Sequence, residues 1–293
     1  MSDTHTSSQD FTGESLDEAS IRGKELARAS RRNDVWRAEI QSRIESVALK
    51  ELRRFLIKNE KAVEAFRNEI HNWSRVNHPN ILPFLGVVRD TISNDPRYII
   101  SPWQSNGGLL KFVTRENPST LVRLRLLVGA SKGLTYLHEE GMAHGYLTTS
   151  HILVSDDLDA LICDFGAIGA DEEIFADKSS RWLAPEALKS DMSQVGCELA
   201  DEQASDVYSF GMVMYACLSG RRPFSELRGK KITLWVLQGG KPLRDFKGWK
   251  ENWCTDEMWE LIVRCWSTNP KERPSMKEVH KELETIERRE MTS

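Results

Sequence analysis

Three charged side chains in this 293-residue chain are placed where phosphate or cation chemistry could be done. Lys50 ends the apolar run "VALK", Glu69 lies in "NEKAVEAFRNEIHNWSRV", and Asp164 follows the apolar run "ALIC". A lysine amine steadied by a carboxylate can hold phosphate oxygens as a point charge. A carboxylate at a strand end can hold a hard cation. On the residues alone a plainer reading stays open: a lysine beside an acid is usually a surface pair contributing little, and an aspartate after a strand is usually a turn residue. A fourth stretch, "MAHGYLTTSHILV" at 142–154, gathers His144, Tyr146, Thr148 and His151 but contains no carboxylate and no carboxamide. A tyrosine titrates near 10, so at neutral pH Tyr146 is a donor and not a base.

These residues need elements to carry them. Two strands are expected around 34–40 and 46–52, where polar and apolar residues alternate. In the following segment Val63, Phe66, Ile70 and Trp73 recur at spacings of three and four, one apolar stripe of a helix that Asn59 could cap. "NHPNILPFLGVV" and "RYIISPW" read as further strands, split by the turn-prone "SNDP". After "QSNGG" the character changes. "LVRLRLLVGASKGLTYLHEEG" is a long helix ending at Gly141, and "HILV" and "ALIC" are short strands about an acidic turn at 155–159. From Asp206 onward the patterns are helical: "DVYSFGMVMYACLSG", "EMWELIVRCW" and "SMKEVHKELETIERRE". The expected organisation is a disordered polar tail at 1–20, a strand-rich lobe at 21–104, a mainly helical lobe at 105–288 with "SNGG" as the hinge, and a short tail at 289–293.

Bulk composition excludes several classes. The hydrophobic fraction is 40% and the charged fraction 29%, an ordinary globular mix. A net charge of −4 gives no electrostatic footprint for nucleic acid. The five cysteines are odd in number, scattered and without a C-x-x-C pair, which reads as reduced thiols in a cytoplasmic protein. No apolar run approaches the ~18 residues of a membrane span, and the acidic N-terminus is neither a signal nor a transit peptide.

Taken in register, the motifs resemble the eukaryotic protein-kinase family, an α+β bilobal fold, over roughly residues 29–286. "VALK" is similar to the strand bearing the phosphate-binding lysine, Lys50, and Glu69 to its partner on the helix. "DFG" at 164–166 is similar to the metal-binding motif and "APE" at 184–186 to the end of the activation segment. "SDVYSFG" at 205–211 resembles the helix that anchors the catalytic loop. "CWSTNPKERPSM" resembles the late motif whose arginine, here Arg273, pairs with the "APE" glutamate, here Glu186. "RWLAPE" and "CW...P..RPS" are similar to the tyrosine-kinase-like branch. The resemblance implies an adenine pocket of Val35, Ala48 and Leu153, with Ser101 as gatekeeper and Trp103 and Gln104 in the hinge. It implies an apolar stack of Phe84, Trp73, Phe165 and His144. Lys50, Glu69 and Asp164 would then serve ATP, with Asp164 the metal ligand. Each apolar position is equally what a packed core would show.

Against that pattern the chemistry is depleted. In the loop H-R-D-L-x-x-x-N, His144 and Leu147 fit, while Gly145 replaces the arginine, Tyr146 the aspartate, Thr148 the usual lysine and His151 the asparagine. Loss of a general base costs about 10²–10⁴-fold in rate, and imidazole prefers softer ions than magnesium. The glycine loop is absent: the stretch 25–34 has no glycine, and Arg28, Ser30 and Asn33 fall at the glycine positions. Without an arginine before Tyr146, a phosphorylated activation segment lacks its basic receiver. The segment is acidic, and Ser179 and Ser180 are its only hydroxyls.

The sequence therefore points to a pseudokinase: a regulatory or scaffolding module for protein partners, binding ATP weakly, with magnesium dispensable. The rival reading is an active but atypical serine/threonine kinase that keeps Lys50, Glu69 and Asp164. A third is an interaction domain that binds no nucleotide. The insertion "KSDMSQVGCELADEQA" is a candidate contact loop or an exposed spacer.

Overall fold

The computed structural model describes residues 14–16, 18–30, 33–41, 45–90, 95–165, 180–188, 199–244 and 254–292. Contacts divide the chain into two compact units, Met1–Val76 with Pro83–Trp103, and Asn77–Leu82 with Gln104–Ser293.

The first unit is built on a six-stranded sheet: β1 (Glu14–Leu16), β2 (Ile21–Ala29), β3 (Asn33–Ile40), β4 (Val47–Leu52), β5 (Gly86–Arg89) and β6 (Pro96–Pro102). Their order is β1-β5-β6-β4-β3-β2, antiparallel except where β1 runs parallel to β5. Alternation along the strands sorts the side chains between two faces. Ala38, Ile40, Val47, Leu49, Val88, Tyr98 and Ile100 pack one face, covered by Ile21, Trp36 and Leu85. Direct pairing of Val35 with Lys50 and of Ala48 with Ser101 puts these four on the other. The helix α1 (Glu60–Ser74) starts where Asn59 Oδ1 accepts from Ala62 N at 3.2 Å, and it buries Phe66, Glu69, Ile70 and Trp73. Val63, expected in the buried stripe, is only half-buried; Ala62 and Ala65 take the buried positions instead.

The expected tail at 1–20 is corrected at its end. Glu14–Leu16 is a strand whose backbone pairs with the free edge of β5, and Glu18 meets Arg97 at 2.7 Å. A sheet edge offers unpaired N–H and C=O groups to any extended segment, whatever its polarity, so a polar sequence gives no warning of such pairing.

The second unit is mostly helical: α2 (Leu109–Glu116), α3 (Thr120–Glu139), α4 (Leu199–Ser219), α5 (Lys230–Leu237), α6 (Asp256–Cys265) and α7 (Met276–Thr292), with the two-stranded β7 (Ile152–Val154) and β8 (Ala160–Ile162). The long helix α3 ends as its sequence predicts: Gly141 takes φ +72° and its N–H bonds His138 O at 3.1 Å. Two boundaries differ from expectation. The helix α4 starts at Leu199 instead of Asp206, so the last six residues of "KSDMSQVGCELADEQA" are helical; its first ten lie outside the described residues. The helix α7 continues through the expected tail to Thr292, where helix-forming residues and a two-oxygen contact of Arg289 with Glu257 of α6 (2.8 Å each) hold the last turns.

Cys163, Cys217, Cys254 and Cys265 are buried free thiols, and Cys197 lies outside the described residues. Burial pushes Cys217, Cys254 and Cys265 up to about 12, so they act as small apolar residues and not as nucleophiles. No described helix is long and apolar enough to cross a membrane.

Candidate active site

In the first unit, Lys50 is 9% exposed and Glu69 1% exposed, and the lysine ammonium bonds the Glu69 carboxylate directly. The strand β4 points Lys50 to the same face as Val35, Ala48 and Ser101, and α1 supplies Glu69 from its buried stripe. A cation taken so far from water must be paired, which disposes of the surface-pair reading for these two residues. Val35 and Ala48 remain half-exposed and Ser101 is buried. Trp103 donates its N–H to Ser46 O at 3.0 Å and lies under Arg37, 5.8 Å from guanidinium to ring. Phe84 and Trp73 meet with ring centroids 5.9 Å apart.

The turn between β2 and β3 occupies the place of the phosphate loop. Ser30 N bonds Asn33 O at 2.9 Å, and Asn33 N bonds Ser30 Oγ at 3.0 Å. These two amides are thus satisfied within the turn. Arg28 pairs with Val35 as an ordinary exposed strand residue. Arg31 and Arg32 at the tip lie outside the described residues.

In the second unit the loop before β7 is held by one carboxylate. Asp206 of α4 accepts from His144 N at 2.7 Å, Gly145 N at 2.9 Å and His138 Nε2 at 2.9 Å. Gly145 takes φ +77°, which the glycine permits at no steric cost. His144 is fully buried; its Nε2–H donates to Cys163 O at 3.1 Å, and Nδ1 accepts from Tyr146 N at 3.3 Å. Burial lowers the pKa of this imidazole against the pull of Asp206, so it is a neutral packing element. The side chains of the loop collapse into an aromatic cluster. His151 stacks on His144 with centroids 5.7 Å apart, Tyr146 tilts against His151 at 5.3 Å, and Phe165 meets His144 edge-on at 6.5 Å.

His151 reaches Asp164. Its Nδ1–H donates to Tyr146 O at 2.7 Å, leaving Nε2 at 3.8 Å from Asp164 Oδ2. Asp164 itself sits at φ +64°, a left-handed conformation that aspartate tolerates better than most residues. Thr148 Oγ is taken up locally, 2.8 Å from Ser150 Oγ and accepting from Ser150 N at 3.1 Å. Leu153 is half-buried on β7, bridged to Gly108, and Gln104 is half-buried with its carbonyl accepting from Gly107 N at 3.1 Å. Gly166 and the acidic segment to Ser179 lie outside the described residues, while Ser180 is buried at 1% exposure.

A family model described as protein tyrosine and serine/threonine kinase matches residues 24–283 of this chain. The chain belongs to the protein kinase family. Its strand-rich first unit with one helix and its mainly helical second unit are those of the protein-kinase fold, and the family as a whole uses ATP and magnesium. Similar curated proteins include serine/threonine-protein kinase 12 of Arabidopsis thaliana, 31% identical over 275 residues, covering 90% of this chain and 55% of that protein. The serine/threonine/tyrosine-protein kinase HT1 of the same plant is 29% identical over 234 residues, covering 76% of this chain and 55% of its own length. The human proto-oncogene tyrosine-protein kinase ROS is 30% identical over 261 residues, covering 81% of this chain and 10% of ROS. The chain therefore spans from a tenth to just over half of these relatives.

Within this kinase domain the late-motif pair is formed. Arg273 makes two bonds to Glu186, at 2.5 and 2.9 Å, and Ser205 Oγ adds a third at 2.7 Å. Burial would raise the Glu186 pKa, but Arg273 and Ser205 outweigh it and hold the carboxyl below the usual range. Asp206 was legible only as part of "SDVYSFG"; its role as the triple acceptor that ties down the loop appears from the geometry. The donor set beside it suits a metal poorly. Magnesium asks for hard oxygen ligands in a near-octahedral array, whereas Asp164 is joined here by an imidazole. Among the described residues no group of three or more His, Cys, Asp or Glu side chains gathers for a metal. Asp164 offers one hard oxygen ligand, and the His151 imidazole is a poor second one for magnesium.

Proposed function

We propose that this kinase domain is a pseudokinase, a cytoplasmic regulatory or scaffolding module that holds a nucleotide weakly and transfers no phosphate. The observation that carries the reading is the loop at 142–154. Its base position holds Tyr146, whose ring packs on His151, and its metal position holds a histidine whose one N–H is spent on Tyr146 O. A phenol at the base position donates and does not accept at neutral pH, and the Ser30 and Asn33 amides of the β2–β3 turn are spent within that turn. The buried Lys50–Glu69 pair supports retained nucleotide contact, since a phosphate would meet an ammonium already held in place. That same pair, together with Asp164, favours the second reading of an active atypical kinase acting through one metal contact.

Titrating ATP against the melting temperature, with and without magnesium, tests the proposal. Binding to the folded state raises the midpoint, by about 2.7 kcal/mol of stabilisation at a hundred times Kd. The expected result is a small rise that survives chelation of magnesium and vanishes in Lys50→Ala. No rise at any ATP concentration would leave an interaction domain without nucleotide. Phosphate transfer to a protein substrate that disappears in both Lys50→Ala and Asp164→Ala would establish the active kinase instead.

A further inference from the structure

The helix α5 and the turn after it carry a charge pattern unlike the rest of the chain. Between residues 227 and 244, "LRGKKITLWVLQGGKPLR" holds Arg228, Lys230, Lys231, Lys241 and Arg244 and no acid, in a chain whose net charge is −4. Arg244 is tied to Asp256 at 2.6 Å. The other four make no ion pair with any described residue, and Arg228, Lys230 and Lys231 are exposed. Large apolar groups are exposed on the same helix, Leu234 at 58% and Trp235 at 47%, and Leu243 in the segment after it is 56% exposed.

Helix geometry explains the combination. Ile232 and Val236 face inward and are buried, so the opposite face is presented to solvent. On that face Lys230 stands one turn from Leu234, and Lys231 one turn from Trp235. Trp235 packs on the closing turn. Gly240 N–H bonds Trp235 O at 2.8 Å, and the indole lies so close over Gly240 that a Cβ there would stand 2.2 Å from Nε1. A half-exposed tryptophan resting on a turn offers a large, stiff apolar face, the residue type most enriched among interface anchors.

We propose that the outward face of α5 and its closing turn is a docking surface for an acidic segment of a partner protein that carries a large apolar side chain. The cations supply complementarity to the acids, and Leu234, Trp235 and Leu243 receive the apolar anchor. A helix lying on a lipid surface segregates its apolar and charged faces. Here lysines and apolar groups interleave on one face, which matches an acidic peptide and not an acyl layer. None of these residues is among those assigned to nucleotide, so the proposal stands whether or not phosphate is transferred.

The test is fluorescence anisotropy with a panel of labelled 12-residue peptides: acidic with a central Phe or Leu, acidic without an apolar residue, and neutral with one. Acidic–apolar members are expected to bind, and to weaken about tenfold or more in Lys230→Glu/Lys231→Glu and in Trp235→Ala. Raising salt from about 50 to about 300 mM should weaken the same binding. Gly240→Ala, which leaves every charge in place but displaces the indole, should weaken it too. Leu243→Ser guards against misfolding of α5 variants, and unchanged melting temperatures are required of all four. Neutral peptides binding as well as acidic ones, no member binding, or variants binding like the parent would each overturn the proposal. So would retention on phosphatidylserine vesicles with the same variant sensitivity and no peptide response, which would make the surface a membrane contact.

Discussion

At the residue scale, one arginine shows how this domain holds its frame. The Arg273 side chain has no exposed surface and is satisfied by Glu186, Ala204 O at 2.9 Å and Ser267 O at 2.9 Å. Removing one partner of such a pair strands the other charge. Arg273→Ala should therefore destabilise by about 3–5 kcal/mol in urea unfolding, and Arg273→Lys should recover little, because an ammonium cannot replace a two-pronged fork. The pair also has a pH signature. Glu186 titrates lower folded than unfolded, so its contribution is complete above the ordinary carboxylate value of about 4.3 and is lost as pH falls through the folded value. The stability difference between the parent and Glu186→Gln should shrink from pH 6 toward pH 3.5. A difference constant across that range would mean the carboxylate charge contributes nothing.

At the element scale, α3 carries a slot that its sequence conceals. Gly129 and Gly133 lie one turn apart, and Asn80 fills the space their missing side chains leave. Asn80 cannot retreat: its carbonyl accepts from Ile162 N at 2.9 Å and its amide donates to Ala160 O at 3.0 Å. A Cβ on Gly133 would stand 2.5 Å from Asn80 O. Helix propensity favours alanine over glycine by about 1 kcal/mol, while overpacking against a fixed backbone atom costs about 1–3 kcal/mol. Gly133→Ala is therefore expected to lower the melting temperature, whereas Lys132→Ala, on the exposed side, should leave it nearly unchanged. An unchanged or raised midpoint for Gly133→Ala would show that Asn80 gives way. This contrast marks what was legible in the sequence. Periodicity placed α1, α3 and the strands around Lys50, because one buried face imposes a regular pattern. It did not show the pairing of β1 with β5, which is made by backbone alone. Nor did it show the early start of α4, or that His151 would turn toward Asp164, because both are fixed by contacts distant in sequence.

At the scale of the whole molecule, the positions that depart from the kinase motifs are spread over several elements. Lys50 and Glu69 belong to the first unit and Asp164 to the second, and all three survive. The departures from the motifs are equally dispersed: the glycine positions of the β2–β3 turn in one unit, Tyr146 and His151 in the other. Catalytic groups that act as a set are strongly non-additive, so restoring some of them recovers far less than their nominal worth. Tyr146→Asp with His151→Asn returns a carboxylate and an oxygen ligand to the loop, and by itself a general base is worth about 10²–10⁴-fold. The Ser30 and Asn33 amides would still be spent within their own turn, and the stretch 25–34 would still lack the glycines of a phosphate loop. The double variant is accordingly expected to fold and to show no transfer above a Lys50→Ala control over hours with labelled ATP. Transfer by the double variant where the parent shows none would mean that the β2–β3 turn is no barrier, and that the residues at 142–154 alone decide transfer.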